Sequence, residues 1–312
     1  MTLHVKLETR ISRRLAWPVL GLVAALALSG CSATVDSSVE PAAVTGDVDP
    51  AASAALPESF KEAGIIRAAS DIPYPPMEMY DAEQNITGFD HDLAAALGVK
   101  LGVRFELQKQ AFATAIPSLQ AGKNDVIMSG MNDTKERQGT LDFVDYFHAG
   151  FSILVLAGNP ENITGVLDLC GKEVAVPKAT VQADILRGYD DECTAAGPGP
   201  VIISELPGET EVQTAVRSGR AVAEVVDSAV AAYTAQTAGD GEMFEVVTDE
   251  ANPNGYSPVY SGIGILKENS ELSEAIRLAL VATIADGTYA EILAKYDLTN
   301  YGLDEAGFNL GS

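Results

Sequence analysis

Polar side chains follow four strand-like runs of the sequence, at the point where each run ends. They are Asp71, the segment from Ser129 to Asn132, Thr180 and Asp227. Because open α/β sheets bind ligands beyond the carboxyl ends of their strands, these positions predict a polar ligand cleft. Taken singly, Asp71 or Asp227 would equally serve as the cap of a following helix, as the stretch DSAVAAY at residues 227–233 indicates.

An arginine follows the second of these groups, in the stretch SGMNDTKER at residues 129–137. The pattern places Arg137 on the first turn of a helix. A guanidinium binds a carboxylate through two parallel hydrogen bonds, and a helix N-terminus would add unpaired N–H groups. The alternative is an exposed arginine that pairs with Glu136 or Asp133 and contributes little energy.

The elements that would position these residues alternate between strand-like and helix-like runs in two series. The first series comprises residues 65–70, 89–102, 104–108, 112–122 and 125–130, and the second comprises residues 173–178, 180–189, 201–206, 209–219 and 221–227. This alternation predicts two α/β units with parallel strands. Two extended runs, 142–158 and 256–267, would connect the units as a hinge, and a helical tail would follow over residues 270–297. We therefore expect one lobe from residues 58–148 and 254–312, and a second from residues 149–253.

The N-terminal residues predict export. Four basic residues precede the apolar run LAWPVLGLVAALAL at residues 15–28, which is shorter than the roughly 20 residues that span a bilayer. Residues 1–30 therefore predict a signal peptide. The sequence LSGC before and at Cys31 resembles a lipobox, in which the cysteine is acylated, with palmitate as an expected lipid; a chance cysteine is the alternative. Residues 31–57 are rich in Ala, Ser, Asp and Pro and predict a lipidated flexible tether on the outer face of a bacterial cell membrane.

Two cysteines remain beyond Cys31. In an exported protein the pair Cys170 and Cys193 predicts a disulfide bond, with two reduced buried thiols as the alternative. There is no C-x-x-C motif, and only His91 and His148 follow the signal, so we expect neither a metal site nor a cofactor.

The chain is strongly acidic. It has 44 acidic and 20 basic residues and a formal net charge of −24. Such a surface repels nucleic acid and anionic lipid, so we expect no nucleic-acid partner and contact with the membrane by the lipid anchor only.

Six motifs, in order along residues 60–300, together resemble the family 3 solute-binding proteins of ABC importers, the polar amino-acid class. They are SDIPYPPMEMYD, ITGFDHDLAAALGVKLGV, FATAIPSLQAGKNDVIMSGMNDTKERQGTLDFVDYF, EVAVPKATVQ, VVDSAVAAY and IADGTYAEILAKYDL. The resemblance implies a type II periplasmic-binding-protein fold, in which two lobes joined by a two-stranded hinge enclose the ligand cleft. It also implies a monomeric binder, not an enzyme, that delivers a free L-amino acid to permease subunits with an associated ATPase. LCGK and DEC resemble the disulfide segments of a lipoprotein subset of the family.

The resemblance also implies a set of ligand-binding residues. They are Asp71, Tyr74, Phe112, Ser129, Gly130, Met131, Asn132, Arg137, Thr180, Val181 and Asp227.

Within this set the resemblance implies particular roles. Arg137 would bind the α-carboxylate and Asp227, from the other lobe, the ammonium group. Tyr74 and Phe112 would be the aromatic walls around the ligand side chain, although core positions are the alternative for both. Asp71 would contact the side chain of the ligand, for which a polar or cationic amino acid is favoured.

The sequence departs from the family pattern at two positions. Asn132 stands where Ser or Thr is usual, and KATVQ replaces KGTTQ, so that Val181 offers an N–H but no hydroxyl group. Of the neighbouring residues, we expect Phe89 in the core and Asp90 as the cap of a helix that begins at His91.

Two other functions remain open. Some dehydratases share the fold, and an enzyme acting on a small carboxylate would need a general acid or base in the cleft. His148 lies in the hinge run with no obvious partner for such chemistry. A sensory amino-acid-binding protein is the other alternative, although the sequence has no signalling domain.

Overall fold

The computed structural model describes residues 46–249, 252 and 255–312. The predicted signal peptide and the acylation of Cys31 lie outside these residues. In the part of the chain that is described, no helix is both long and apolar enough to cross a membrane.

The protein is built from alternating strands and helices. The strands are β1 (Ile65–Ser70), β2 (Met79–Tyr80), β3 (Ile86–Thr87), β4 (Arg104–Lys109), β5 (Val126–Ile127), β6 (Leu141–Leu156), β7 (Glu173–Pro177), β8 (Ile202–Leu206), β9 (Ala223–Asp227), β10 (Phe244–Val246) and β11 (Tyr256–Leu266). The helices are α1 (Pro50–Ala55), α2 (Glu58–Ala63), α3 (Phe89–Leu101), α4 (Ala115–Gln120), α5 (Gln182–Arg187), α6 (Asp190–Ala196), α7 (Glu209–Arg217), α8 (Ser228–Thr237), α9 (Ser270–Ala285) and α10 (Thr288–Lys295).

The strand order divides the sheet into two parallel units joined by two long antiparallel strands. The order is β4-β1-β5-β11-β6-β9-β7-β8, with β10 paired to β6. In the first lobe β1 pairs in parallel with β4 and β5, and in the second β7 pairs in parallel with β8 and β9. Strand β6 pairs with β11 along its first part and with β9 and β10 along its last part. The predicted two-lobe α/β fold with a two-stranded hinge is confirmed; the lobe boundaries at 148/149 and 253/254 stay predictions.

A buried aromatic cluster anchors α3 to the first lobe. Phe89 is fully buried, and its ring centroid lies 5.7–6.4 Å from those of Tyr146, Phe147 and Tyr289. The expectation that Phe89 belongs to the core is therefore confirmed.

The end of the predicted tether is folded rather than flexible. One carboxylate oxygen of Asp49 accepts hydrogen bonds from the N–H groups of Ala51 and Ala52, at 3.0 and 2.8 Å, and Pro50 occupies the first helical position. Ala52 and Leu56 are buried, and α1 packs against α9. The prediction of a tether up to residue 57 was therefore wrong over this stretch, because the small alanine side chains let a short capped helix approach its neighbour closely.

Two further predictions concern the second lobe and the C-terminal tail. Cys170 and Cys193 form a disulfide bond, as predicted. The tail is two helices rather than one, because Gly287, with φ of 87°, separates α9 from α10 in a left-handed conformation.

Candidate functional site

A cavity lies between the two lobes, where the carboxyl ends of their strands face each other. Its lining residues are Asp71, Pro73, Tyr74, Phe112, Ser129, Gly130, Asn132, Pro177, Thr180, Gln182, Glu209 and Asp227. The four strand ends that the sequence singled out therefore meet at one place. Such convergence is the arrangement expected of a ligand site in an open α/β fold.

The first-lobe wall rests on a network of hydrogen bonds between loops. The N–H of Asp71 donates to Oγ of Ser129 at 2.9 Å, and this hydroxyl donates to Oε1 of Glu78 at 2.6 Å. Oδ2 of Asp90 accepts a hydrogen bond from the N–H of Gly130 at 2.9 Å. Since Glu78 and Asp90 are both buried, they hold the cavity loop from behind rather than contacting its interior.

Asp90 does not cap a helix as expected. Helix α3 already begins at Phe89, with Gly88 as its cap residue, so Asp90 lies two residues too far along to take that role. Its carboxylate supports the cavity loop instead. Burial raises the pKa of Asp90 to about 6, and the hydrogen bond from Gly130 opposes that rise.

Asp71 and Phe112 are joined at the edge of the cavity. Oδ2 of Asp71 accepts a hydrogen bond from the N–H of Phe112 at 3.1 Å. Burial raises the pKa of Asp71, and this hydrogen bond opposes the effect. The Phe112 ring lies 5.3 Å from the guanidinium carbon of Arg137, so its face is part of a cation–π contact.

Arg137 lies beside the cavity, between the two lobes. Its Nη1 donates to the carbonyl oxygen of Asn132 at 2.8 Å, and its Nη2 donates to that of Ala179 in the second lobe at 3.1 Å. Among the described residues no carboxylate forms a salt bridge with it, so the alternative pairing with Glu136 or Asp133 is not found. A guanidinium has five N–H groups, which leaves three for an incoming anion. Burial lowers the pKa of Arg137 to about 10, and nearby acidic residues oppose the shift, so it stays charged.

The helix expected at Arg137 is only a single 3₁₀ turn, Arg137–Gly139. That turn is too short to carry an appreciable helix dipole, so the predicted contribution of a helix N-terminus was wrong. Anion binding at this position must come from the guanidinium itself.

Asp227 contacts the opposite lobe through both carboxylate oxygens. The hydroxyl of Tyr74 donates a short hydrogen bond to Oδ2, and Nδ2 of Asn132 donates to Oδ1 at 3.3 Å. The side chain does not cap α8, although Asp227 precedes that helix. Burial raises its pKa, while the hydrogen bonds from Tyr74 and Asn132 and the charge of Arg137 oppose the rise. Asp227 is thus a buried acceptor that lies within the electrostatic reach of Arg137.

Three predicted ligand residues do not line the cavity: Arg137, which lies beside it, Met131 and Val181. Met131 is 1% exposed, and its side chain packs in a hydrophobic cluster with Leu119 and Ile127. Val181 packs against the second-lobe core. Neither of these two side chains lines the cavity, because both are apolar and pack against the core of their own lobe. Thr180 does line it, and its hydroxyl donates to the carbonyl oxygen of Pro177 at 2.7 Å.

Two polar lining residues escaped prediction. Gln182 and Glu209 follow β7 and β8, so the rule of strand ends applied to these two strands would have found them. Both are almost fully buried. His148, by contrast, stacks on Tyr260 with ring centroids 4.3 Å apart and does not line the cavity.

The sequence matches the profile of a known family and is similar to the sequences of known proteins. The profile of the bacterial extracellular solute-binding proteins, family 3, matches residues 66–299. The Arginine-binding protein ArgT of Corynebacterium glutamicum is 32% identical over 269 residues, which cover 85% of each chain.

Solved structures of binding proteins share the fold. An ancestral arginine-binding protein bound to arginine has a TM-score of 0.66 and 35% identity, covering 75% of this chain and 98% of its own. The ancestral amino acid-binding protein AncCDT-1, a precursor of cyclohexadienyl dehydratase, has a TM-score of 0.65 and 33% identity, covering 77% and 98%.

Proposed function

The chain belongs to the bacterial extracellular solute-binding proteins, family 3, and from that premise we propose that it binds a free amino acid between its lobes and delivers it to an ABC permease. The observation that carries this proposal is one cavity between the lobes. There Asp227 of the second lobe accepts hydrogen bonds from Tyr74 and Asn132 of the first, and Arg137 lies beside the cavity. The relatives reported above are named for arginine or amino-acid binding.

The two ends of an amino acid would contact different lobes. Arg137 has three unused N–H groups for the α-carboxylate, and Asp227 is a buried acceptor for the ammonium group. Tyr74 and Phe112 would flank the side chain, and Asp71 would contact its polar end. Because each lobe holds one pole of the ligand, the bound amino acid favours the closed arrangement through contacts that an open one lacks.

A ligand panel tests this function. Melting curves with each of the twenty amino acids, ornithine and citrulline should show stabilisation by at least one of them, because a ligand at 100 times its dissociation constant adds about 2.7 kcal/mol. If no member of the panel shifted the melting temperature or gave heat in calorimetry, amino-acid binding would be wrong.

Export and lipid anchoring belong to the same proposal. The family consists of extracellular proteins, and Cys31 would hold the chain, as a monomer, on the outer face of the cell membrane. Mass spectrometry of the N-terminal peptide from membrane fractions should show a diacylglyceryl-modified Cys31. An unmodified cysteine, or cleavage elsewhere, would contradict the anchor.

An enzyme on the same fold is a second candidate, and Glu209 is the observation that favours it. Burial raises the pKa of this acid at the cavity wall, which is a property of general acids. Product analysis after incubation with small cyclic carboxylates would separate the two functions, because a binding protein returns every substrate unchanged.

A further inference from the structure

The second-lobe wall of the cavity ends in a pair of acidic side chains. Glu209, the first residue of α7, lines the cavity, and Glu224 on β9 lies behind it with no exposed surface. Oε1 of Glu209 accepts a hydrogen bond from Nε2 of Gln213 at 2.8 Å. Oε2 of Glu209 and both oxygens of Glu224 have no hydrogen-bond partner among the described residues. No described lysine or arginine forms a salt bridge with either acid.

Such a pair is unfavourable unless it is compensated. Burial raises the pKa of both carboxyls, and the charge of Glu209 raises that of Glu224 well above its ordinary value. The interaction between the two carboxyls raises the pKa of Glu224 and lowers that of Glu209, so a proton shared by the pair is favoured on Glu224. The negative charge is then favoured on Glu209, the member that faces the cavity.

The other groups that face Glu209 add acceptors and no positive charge. The charges of Asp227 and Asp71 both raise its pKa. Asp71 reaches across from the first lobe, since a β-carbon placed on Gly208 would lie 3.8 Å from its Oδ2. Burial raises the pKa of the Tyr74 hydroxyl well above the ordinary value, and the charges of Asp227, Glu209 and Glu224 raise it further. Oε1 of Gln182, which also lines the cavity, is buried without a hydrogen-bond partner.

The charges around the cavity therefore do not balance for a neutral ligand. A dipolar amino acid would use Arg137 and Asp227 for its two poles and bring no net charge. Asp71 and Glu209 would then remain as two further acids near the ligand side chain; the charge of Lys109 lowers the pKa of Asp71 and offsets part of its negative charge. A guanidinium or ammonium group supplies only donors and a positive charge, whereas an amide also brings an oxygen that these acceptors would repel.

We propose that Glu209, in front of Glu224 and facing Asp71, binds the positively charged end of the ligand side chain, so that the site takes amino acids with a cationic side chain. This inference rests on the proposed amino-acid binding. It assigns the selection of charge to the second lobe, whereas the sequence pointed to Asp71 of the first.

Calorimetry with L-arginine and L-citrulline tests the role of Glu209. Citrulline has nearly the same shape as arginine, but its side chain ends in a neutral urea group. Wild-type protein should bind arginine at least 30-fold more tightly than citrulline. In Glu209→Gln the affinity for arginine should fall at least 30-fold and that for citrulline less than threefold, because a hydrogen bond to a charged group is lost only with arginine.

Two further variants serve as controls. Glu242→Gln changes the same charge at an exposed position of the second lobe and should leave both affinities within twofold. In Glu224→Gln the amide can donate to Glu209 as the protonated carboxyl does, so the affinity for arginine should fall less than threefold. Melting curves establish that each variant is folded.

The possible failures are distinguishable. Equal losses for arginine and citrulline in Glu209→Gln would overturn the role of Glu209 and leave amino-acid binding intact. If that variant did not fold, the wild-type ratio decides, and a preference for arginine below threefold would overturn the proposal. Tight binding of only a neutral or acidic amino acid would also overturn it, whereas binding of no amino acid would refute the proposed function itself.

Discussion

Truncation of Arg137 tests most directly how the cavity would hold a carboxylate. In Arg137→Ala the guanidinium is lost together with its hydrogen bonds to the carbonyl oxygens of Asn132 and Ala179. The first of these bonds stays within one lobe and orients the side chain. The second joins the lobes, so its loss also weakens the closed arrangement. Both effects act against ligand binding.

The magnitude follows from the N–H groups that remain for a ligand. Two parallel hydrogen bonds between a guanidinium and a carboxylate contribute about 1.5 to 3 kcal/mol each. The lower value gives about 3 kcal/mol for the pair, which corresponds to an affinity loss of more than 100-fold. Arg137→Lys keeps the charge but not the two parallel bonds, so its loss should lie between that of the alanine variant and none.

The assay is calorimetric titration of the best ligand from the panel into each variant. Arg220→Ala, which removes an exposed arginine of the second lobe, is the matched control and should bind within twofold of the wild type. If Arg137→Ala bound the same ligand within threefold of the wild type while the melting curves agreed, the carboxylate would have to bind elsewhere.

Three further predictions concern the ammonium group, the disulfide bond and a buried carboxyl. Asp227→Asn should weaken binding of every α-amino acid about tenfold in calorimetry, because a charge-assisted hydrogen bond to the ammonium becomes a neutral one; a loss below threefold would refute that role. Cys170 and Cys193 are 23 residues apart in sequence, so reduction of their disulfide bond should lower the free energy of urea unfolding by about 3 kcal/mol. An unchanged free energy of unfolding would contradict this. Burial raises the pKa of Asp145 to about 7, so the stabilising effect of its proton is complete below about pH 4 and is lost as the pH rises through 7. Urea titrations should show this fall in wild-type protein and a smaller one in Asp145→Asn.

The parts of the fold that follow from periodic patterns could be predicted from the sequence. Strand β1 has the predicted bounds, and α7 begins at the predicted residue. The long apolar runs of β6 and β11 correctly indicated the hinge. These elements are set by local alternation and by burial on both faces, which a single sequence records directly.

Other parts depend on tertiary contacts that no local pattern records. The composition around Ala52 is that of a flexible segment, yet contact with α9 makes it helical. The turn after Arg137 continues for too few residues to form an α-helix, because β6 begins at Leu141. Glu209 resembles an ordinary acidic residue in the first turn of a helix, and only the opposite lobe turns that position into a cavity wall. The strand ends therefore located Thr180 and Asp227 in the second lobe, whereas the place of Glu209 in the cavity wall is visible only in the structure.

Binding at Asp227 is an exchange of partners rather than a simple gain. Its carboxylate already accepts hydrogen bonds from Tyr74 and Asn132, two neutral donors of the opposite lobe. An ammonium group would have to replace at least part of these contacts, so its benefit is the difference between a charge-assisted and a neutral hydrogen bond. Tyr74 and Asn132 thus reduce the affinity for any ligand that lacks a positive charge at this position. The same reasoning applies to Glu209, which accepts a hydrogen bond from Nε2 of Gln213, another neutral donor. Both acids are therefore satisfied by neutral donors of the protein itself, which makes each of them selective for a cation over a neutral group.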